Sequence, residues 1–256
     1  MINKTVLITG ASSGIGYELA KIFAGNKYNL ILVARNTELL TKIKEELADD
    51  TIDIVTISKD LSSPGAPKDL YNHVKDIGMH VHVLVNNAGY GMTGKFTELE
   101  LEKQTNMMQL NMFALTELTH LFAQDMVEKK YGRVLNVGSV ASFVSVPSMS
   151  VYAATKSYVL SFSESLHSEL RRKGDIAVTA LCPGPTKTNF AKVANVGEME
   201  PLFNKYGMTA TDVAKIGYKA VLKGDPVVVP GFTFRFVASL PRFLPRKLIQ
   251  TLLGKQ

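Results

Sequence analysis

Cys182 is the only cysteine in 256 residues, so the chain can form no intramolecular disulfide and no cysteine cluster for a metal. That scarcity fits a reducing compartment, and the expected location is the cytoplasm. No apolar run reaches the roughly 18 to 20 residues that a bilayer-spanning helix needs. Residues 1–9 (MINKTVLIT) run straight into a strand-like segment, without the long apolar stretch and small-residue cleavage site of a secretory signal. The formal charge is +6, yet the Lys and Arg residues form no long block and no nucleic-acid motif accompanies them. Nucleic acid is therefore not an expected partner. Nor does any break in composition mark a second domain: at 46% hydrophobic and 20% charged, the chain can bury one sizeable core.

What is present is alternation. Short β-rich runs recur at 6–9, 30–34, 53–58, 81–86, 133–138, 176–182 and 227–230. The first six are apolar on both faces, as strands of a parallel sheet covered by helices must be. Amphipathic stretches lie between them, such as 37–47 with Leu39, Leu40, Ile43 and Leu47, and 151–172 with Tyr158, Val159, Phe162, Leu166 and Leu170. This βαβ repetition predicts a single α/β Rossmann domain over 1–231. Its seven-stranded, mostly parallel sheet is doubly wound, with helices on both faces, strand order 3-2-1-4-5-6, and ligands at the carboxyl ends of the strands. Segment 98–130 is long for one helix, and its Met107, Met108 and Met112 are expected to pack against something, a partner subunit being one candidate.

After the first strand come Thr9-Gly10-Ala11-Ser12-Ser13-Gly14-Ile15-Gly16, and a helix pattern starts at once. Glycines there permit a tight turn and let a pyrophosphate approach the amides and the positive end of the helix. Glycine triplets are common, but this one has the strand-loop-helix context that a dinucleotide site requires. The second strand ends Val33-Ala34-Arg35-Asn36, where an NAD site would place an acid on the ribose 2′-hydroxyl. Ala34 cannot serve. Arg35 offers a forked guanidinium to a 2′-phosphate, helped by Ser12 or Ser13 and Asn36, so NADP(H) is expected over NAD(H). The plainer alternative is an exposed Arg35 with Asn36 capping the next helix.

A Tyr-x-x-x-Lys pair puts phenol and ammonium one helical turn apart, and the chain has three: Tyr17/Lys21, Tyr71/Lys75 and Tyr152/Lys156. A serine 13 residues upstream does not discriminate, because Ser58 precedes Tyr71 as Ser139 precedes Tyr152. Topology does. Ser58 ends an outer strand, roughly 10 Å toward the adenine side at about 4.8 Å per strand, whereas Ser139 ends the fifth strand on the nicotinamide side. Reducing a carbonyl needs hydride at carbon and a proton at the developing alkoxide. Tyr152 is the expected acid, its pKa lowered from about 10 toward about 7 by Lys156 and an oxidised nicotinamide, a change worth roughly 4 kcal/mol. Ser139 would hold the substrate oxygen.

From Thr5 to about Pro230 the chain resembles the short, single-domain branch of the short-chain dehydrogenase/reductase family. The carrying residues are the Thr9–Gly16 loop, Asn86-Asn87-Ala88-Gly89 after the fourth strand, and Asn111, Ser139, Tyr152 and Lys156 in family order. The resemblance implies that Asn87, Ala88 and Gly89 lie beside the cofactor and that Asn111 holds a water in a proton relay through Lys156. It also implies that Asp60 and Leu61 contact adenine, and that Pro183, Gly184, Thr186 and Thr188 hold the carboxamide side of nicotinamide. It departs at Ala114 and Ser142, where relatives often have glycine. It further implies a homodimer or homotetramer paired through 98–130 and 151–172, and a substrate-covering flap at 187–208.

That flap carries Phe190, Val193, Met199, Leu202, Phe203, Tyr206 and Met208, which suggests a small apolar ketone, aldehyde or alcohol as substrate. A non-catalytic NADP(H)-binding sensor or scaffold is the rival reading. His80 and His82 share a strand face, but no third metal ligand accompanies them. Cys182 reads as a small buried filler. The tail 232–256 mixes Phe232, Phe234, Phe236, Leu240, Phe243, Leu244, Leu248, Ile249, Leu252 and Leu253 with Arg235, Arg242, Arg246 and Lys247, interrupted by Pro241 and Pro245. Docking on the flap or on a neighbouring subunit is favoured for it over contact with an anionic membrane.

Overall fold

Alternate residues of each strand run to opposite sides of the sheet, and both sides are dry. In β1 (Thr5–Thr9), Val6 and Ile8 enter one apolar cluster and Leu7 the other. In β2 (Asn29–Ala34), Leu30 and Leu32 likewise part from Ile31 and Val33. The computed structural model describes residues 3–197 and 205–240. Its remaining main strands are β3 (Ile54–Ser58), β4 (Val81–Asn86), β5 (Tyr131–Val137), β6 (Asp175–Leu181) and β9 (Val227–Val228). They form one seven-stranded sheet in the order β3-β2-β1-β4-β5-β6-β9, with every recorded pairing parallel.

Three helices cover the first cluster: α1 (Gly14–Gly25) through Leu19 and Phe23, α2 (Thr37–Glu46) through Leu40 and Ile43, and α8 (Ala210–Lys223) through Val213 and Val221. On the other side, α3 (Ala66–Asp76) contributes Leu70 and Val74, α5 (Leu115–Glu128) Leu118 and Phe122, and α6 (Ser150–Leu170) its final Leu170. This is the expected doubly wound sandwich. Leu39, expected on the buried face of α2, is instead 40% exposed, because Leu40 and Ile43 already turn that helix toward the sheet.

The long 98–130 segment is α4 (Leu101–Met108), a π-helical turn at Gln109–Ala114, and then α5. Met107 packs within the chain, in a small cluster with Met149 and Tyr152. A second, two-stranded sheet was not legible in advance: β7 (Thr186–Lys187) pairs in parallel with β8 (Met208–Thr209) and so brings together the two ends of the flap. Between them lies the short α7 (Phe190–Val193). Flap residues Met199, Leu202 and Phe203 lie outside the described residues, as does the tail from Pro241 onward, whereas α9 (Phe232–Ser239) is described. Among the described residues no helix is long and apolar enough to cross a membrane.

Candidate active site

The carboxyl ends of the strands open into one cavity of about 890 Å³. At its first edge β1 turns sharply into α1, with Gly10 and Gly14 at φ +63° and +57°. A Cβ on Gly10 would stand 2.8 Å from the Asn87 side chain, and one on Gly16 would stand 2.4 Å from the Gly10 carbonyl. Asn87 fixes the turn, its Nδ2 donating to the Thr9 and Gly10 carbonyls at 3.0 Å each. Thr9 Oγ1 in turn accepts from the Asn87 and Ala88 amides. Ser13 occupies the N-cap position of α1 without a side-chain cap, and the first turn carries no acidic residue. Uncapped amides on a glycine floor, beside a cavity lined by Gly10, Ser12, Ser13, Gly14 and Ile15, fit a pyrophosphate. Gly16 lies outside that lining and is a close-packing glycine.

Arg35 is exposed at the end of β2, lines the same cavity, and makes no ion pair among the described residues. Asn36 is otherwise engaged: its Oδ1 accepts from the Leu39 amide at 2.9 Å and caps α2. That bond uses the amide oxygen and does not engage Nδ2, the group that would donate to a 2′-phosphate. Asp60 accepts from the Ser62 amide and hydroxyl. Burial works to raise its carboxyl pKa, but those bonds and the charge of Arg35 hold it below the usual range. Beside it the cavity takes Lys59, which sequence reasoning missed and which pairs with Asp69 at 3.3 Å. Tyr90, Glu100, Lys103, Asn106 and Leu110 were also missed; Lys103 and Asn106 come from α4 and Glu100 and Leu110 from its two ends, and no local pattern announces its position over the cavity.

At the far end lie Ser139, Tyr152 and Lys156, all buried and all lining the cavity. Lys156 Nζ donates to the Val137 carbonyl at 2.8 Å and sits 5.9 Å from the Tyr152 ring centroid. The other two Tyr-Lys pairs are engaged elsewhere. Tyr17 donates to Glu46 while Lys21 pairs with Glu18, and Tyr71 and Lys75 both bind Asp125. Asn111 sits in the π-helical turn, an insertion that commonly accompanies functional positions. It donates to the Tyr90 carbonyl at 2.9 Å and to Thr155 Oγ1 at 3.1 Å. Asn111 does not line the cavity itself, but a Cβ on Gly89 would lie 2.8 Å from its Oδ1 and 3.5 Å from Lys156 Nζ.

Burial sets the electrostatics. It pushes the Tyr152 phenol up to about 12, although the Ser139 hydroxyl acts the other way, and it drops the Lys156 ammonium to about 8. The expected depression of the phenol pKa is therefore not produced by the protein alone, because desolvation outweighs its hydrogen bond. Cys182 is fully buried against Gly138, with its thiol also pushed up to about 12 by burial, as suits a filler. His80 and His82 meet edge to face at the start of β4, the opposite end of the sheet. No cluster of three potential metal ligands occurs among the described residues.

Ser142, in the one-turn helix Val140–Ser142, ties the site together. Its Oγ donates to the Lys156 carbonyl at 2.7 Å and accepts from the Ser139 amide at 3.3 Å. Ser142→Ala leaves that buried amide unpaired, at a cost of about 1–3 kcal/mol. Thermal melts are expected to drop by roughly 2–4 °C per kcal/mol, with turnover impaired more than cofactor affinity. An unchanged melting temperature and rate would remove Ser142 from the site.

Segment 183–188 closes the cavity over the first loop: Pro183, Gly184, Thr186 and Thr188 line it, and Thr188 lies 3.1 Å from where a Cβ on Gly14 would be. Beside Tyr152 the cavity is walled by Val140, Val144, Val146, Met149, Phe190 and Val193.

Comparison with known proteins agrees with this layout. Residues 4–198 match the short chain dehydrogenase family. The chain is 31% identical over 271 residues to dehydrogenase/reductase SDR family member 7B of Bos taurus, covering 94% of this chain and 82% of that one. Among solved structures, a short-chain dehydrogenase from Sphingobium yanoikuyae in complex with NADPH superposes with a TM-score of 0.83. It is 30% identical, with 99% of this chain and 96% of that one covered. A short chain dehydrogenase/reductase from Burkholderia phymatum in complex with NAD shares the fold, with a TM-score of 0.85 at 24% identity over 99% of this chain and 96% of that one. With its Rossmann sheet, glycine loop and family match in agreement, the chain belongs to the short-chain dehydrogenase/reductase family, nicotinamide-dependent oxidoreductases of CH–OH and C=O groups.

Proposed function

We propose that this chain is an NADPH-dependent carbonyl reductase, equally an alcohol dehydrogenase in reverse, acting on a small, largely apolar ketone, aldehyde or secondary alcohol. One observation carries the reading: of three Tyr-x-x-x-Lys pairs, only Tyr152 and Lys156 line the cavity, with Ser139 alongside. Loop 10–15 holds the pyrophosphate and Arg35 the 2′-phosphate. Asp60 and Leu61 flank adenine, and segments 87–89 and 183–188 flank the nicotinamide. When bound, that ring supplies the hydride and, once oxidised, a positive charge near the phenol.

The protein's own part is proton handling. Ser139 donates to the carbonyl oxygen, a bond that strengthens as the oxygen gains charge. Tyr152 transfers its proton to the alkoxide, and the Lys156 ammonium stabilises the phenolate left behind. With a pKa near 8, Lys156 can also pass on a proton at ordinary pH, through the water that the family resemblance gives to Asn111. A homodimer or homotetramer would pair through segments 98–130 and 151–172, where Phe113 of the π-helical turn is exposed and Tyr158 stacks on Phe162.

Screening apolar ketones, aldehydes and secondary alcohols for oxidation of NADPH, or reduction of NADP⁺, tests the reading. NADPH binding without turnover on any of them would favour a sensor. Phe190, whose ring centroid lies 5.5 Å from that of Tyr152, limits substrate size. Phe190→Ala is expected to raise kcat/KM for a diaryl ketone relative to a methyl ketone by at least about tenfold, since one misfitted methylene already weighs about 1–3 kcal/mol. An unchanged ratio would place the substrate elsewhere.

A further inference from the structure

Helix α9 carries two apolar faces, of which the described residues pack against only one. Its inner face is engaged: Phe234 and Ala238, four residues apart, join a cluster with Val140, Leu160, Cys182 and Val229. The Phe234 ring presses on the cavity wall, only 2.7 Å from where a Cβ on Gly184 would stand. The outer face is bare. Phe232 is 85% exposed, Phe236 60% and Val237 39%, with an exposed Arg235 between them. Positions 232, 235 and 236 stand together on the helix surface at i, i+3 and i+4 spacing.

Charge narrows what can cover that outer side. From residue 232 onward the sequence has the cations Arg235, Arg242, Arg246, Lys247 and Lys255 and no Asp or Glu, while continuing rich in Leu, Ile and Phe. A second copy meeting this face through a two-fold axis would set like charges against like and desolvate both. A nucleic acid would answer the cations and leave the phenyl rings wet. An anionic lipid surface answers both, with acyl chains for the rings and phosphates for the guanidinium.

We propose that the outer face of α9 is a peripheral docking surface for an anionic lipid bilayer. The contact is interfacial, reaching about 5–10 Å into the headgroup and acyl boundary. Through Phe234 the same helix rests on Gly184, so docking holds the cavity wall about one helix diameter, ~10 Å, from the acyl chains. If the proposed function holds, apolar carbonyl compounds dissolved in the bilayer are then the nearest source of substrate. The docking itself does not depend on that reading.

Co-sedimentation of the full-length protein with vesicles tests it without any assay of turnover. Wild type is expected to pellet with phosphatidylglycerol/phosphatidylcholine vesicles, less so at high salt, and to remain in the supernatant with phosphatidylcholine alone. A Phe232→Ser/Phe236→Ser double variant and a separate Arg235→Glu variant should each weaken partitioning, the first by more than about tenfold given the area of two phenyl rings. Both should keep the wild-type melting temperature and NADPH affinity, since these side chains touch neither core nor cavity. Failure of wild type to bind anionic vesicles, or equal binding by the double variant, overturns the proposal. So does a wild-type oligomer that the Phe variants dissociate while vesicle binding is absent, which would make a second copy the occupant.

Discussion

Tyr152→Phe is expected to lower kcat by about 10²- to 10⁴-fold, the usual worth of a positioned general acid, and to leave NADPH binding nearly intact. The phenol is buried beside Ser139 at the cavity wall, and burial drives its pKa to about 12, so it stays protonated throughout the ordinary pH range. Removing the hydroxyl deletes neither charge nor volume from the core, and the ring keeps its contacts with Met107, Met149 and Ala153. Stability should change by no more than about 1 kcal/mol. A loss of turnover thus reports on proton transfer rather than folding, and a melt recorded beside the rate separates the two. Corresponding losses of kcat and kcat/KM would mark an interaction made only in the transition state. Wild-type turnover in the variant would defeat the assignment of Tyr152, whatever the family match.

The sheet was legible because its physics is local. Strands buried on both faces must read as short apolar runs, and six such runs punctuated by helix-period segments leave few topologies once crossovers are right-handed. β9 was the weakest, expected over 227–230 but paired only at Val227 and Val228. Which of the three Tyr-Lys pairs would line the cavity was also legible, though only by adding topology to spacing. What stayed hidden is what depends on distant segments. Lys59 reads as an ordinary strand-end cation until the cavity appears beside it. The pairing of β7 with β8 joins two-residue strands that no periodicity can reveal.

The largest electrostatic surprise has the same origin. Spacing said that Lys156 would sit one turn from Tyr152 and draw its pKa down. In the folded chain both are buried, and desolvation acts on each before they act on each other: the phenol rises and the ammonium falls. Sequence can place two groups on one helix face, but the dielectric around them is set by residues such as Met107 and Phe190, contributed by other segments. The same limit applied to Ser142. Its difference from the glycine of many relatives marked the position, yet only the fold shows its hydroxyl joining the Ser139 amide to the Lys156 carbonyl.

Arg35→Ala is expected to weaken NADPH by about 10- to 150-fold, matching the roughly 1.5–3 kcal/mol of a hydrogen bond to a charged group, while NADH shifts little. The contrast arises because only the 2′-phosphate distinguishes the two cofactors, and Arg35 is the cavity-lining cation at the end of β2 with no ion pair among the described residues. Lys59 also lines the cavity, but Asp69 already claims part of its charge, so it should leave only a residual preference once Arg35 is gone. Because Arg35 is exposed, salt screens the interaction, and the NADPH advantage of the wild type should shrink as ionic strength rises. The arginine mutant, already without that term, should show a flatter dependence. Titrating both cofactors into both proteins at low and high salt gives four affinities for each. Equal binding of NADPH and NADH by the wild type would mean that the guanidinium at the end of β2 does not read the 2′ position, and the proposed cofactor would fall with it.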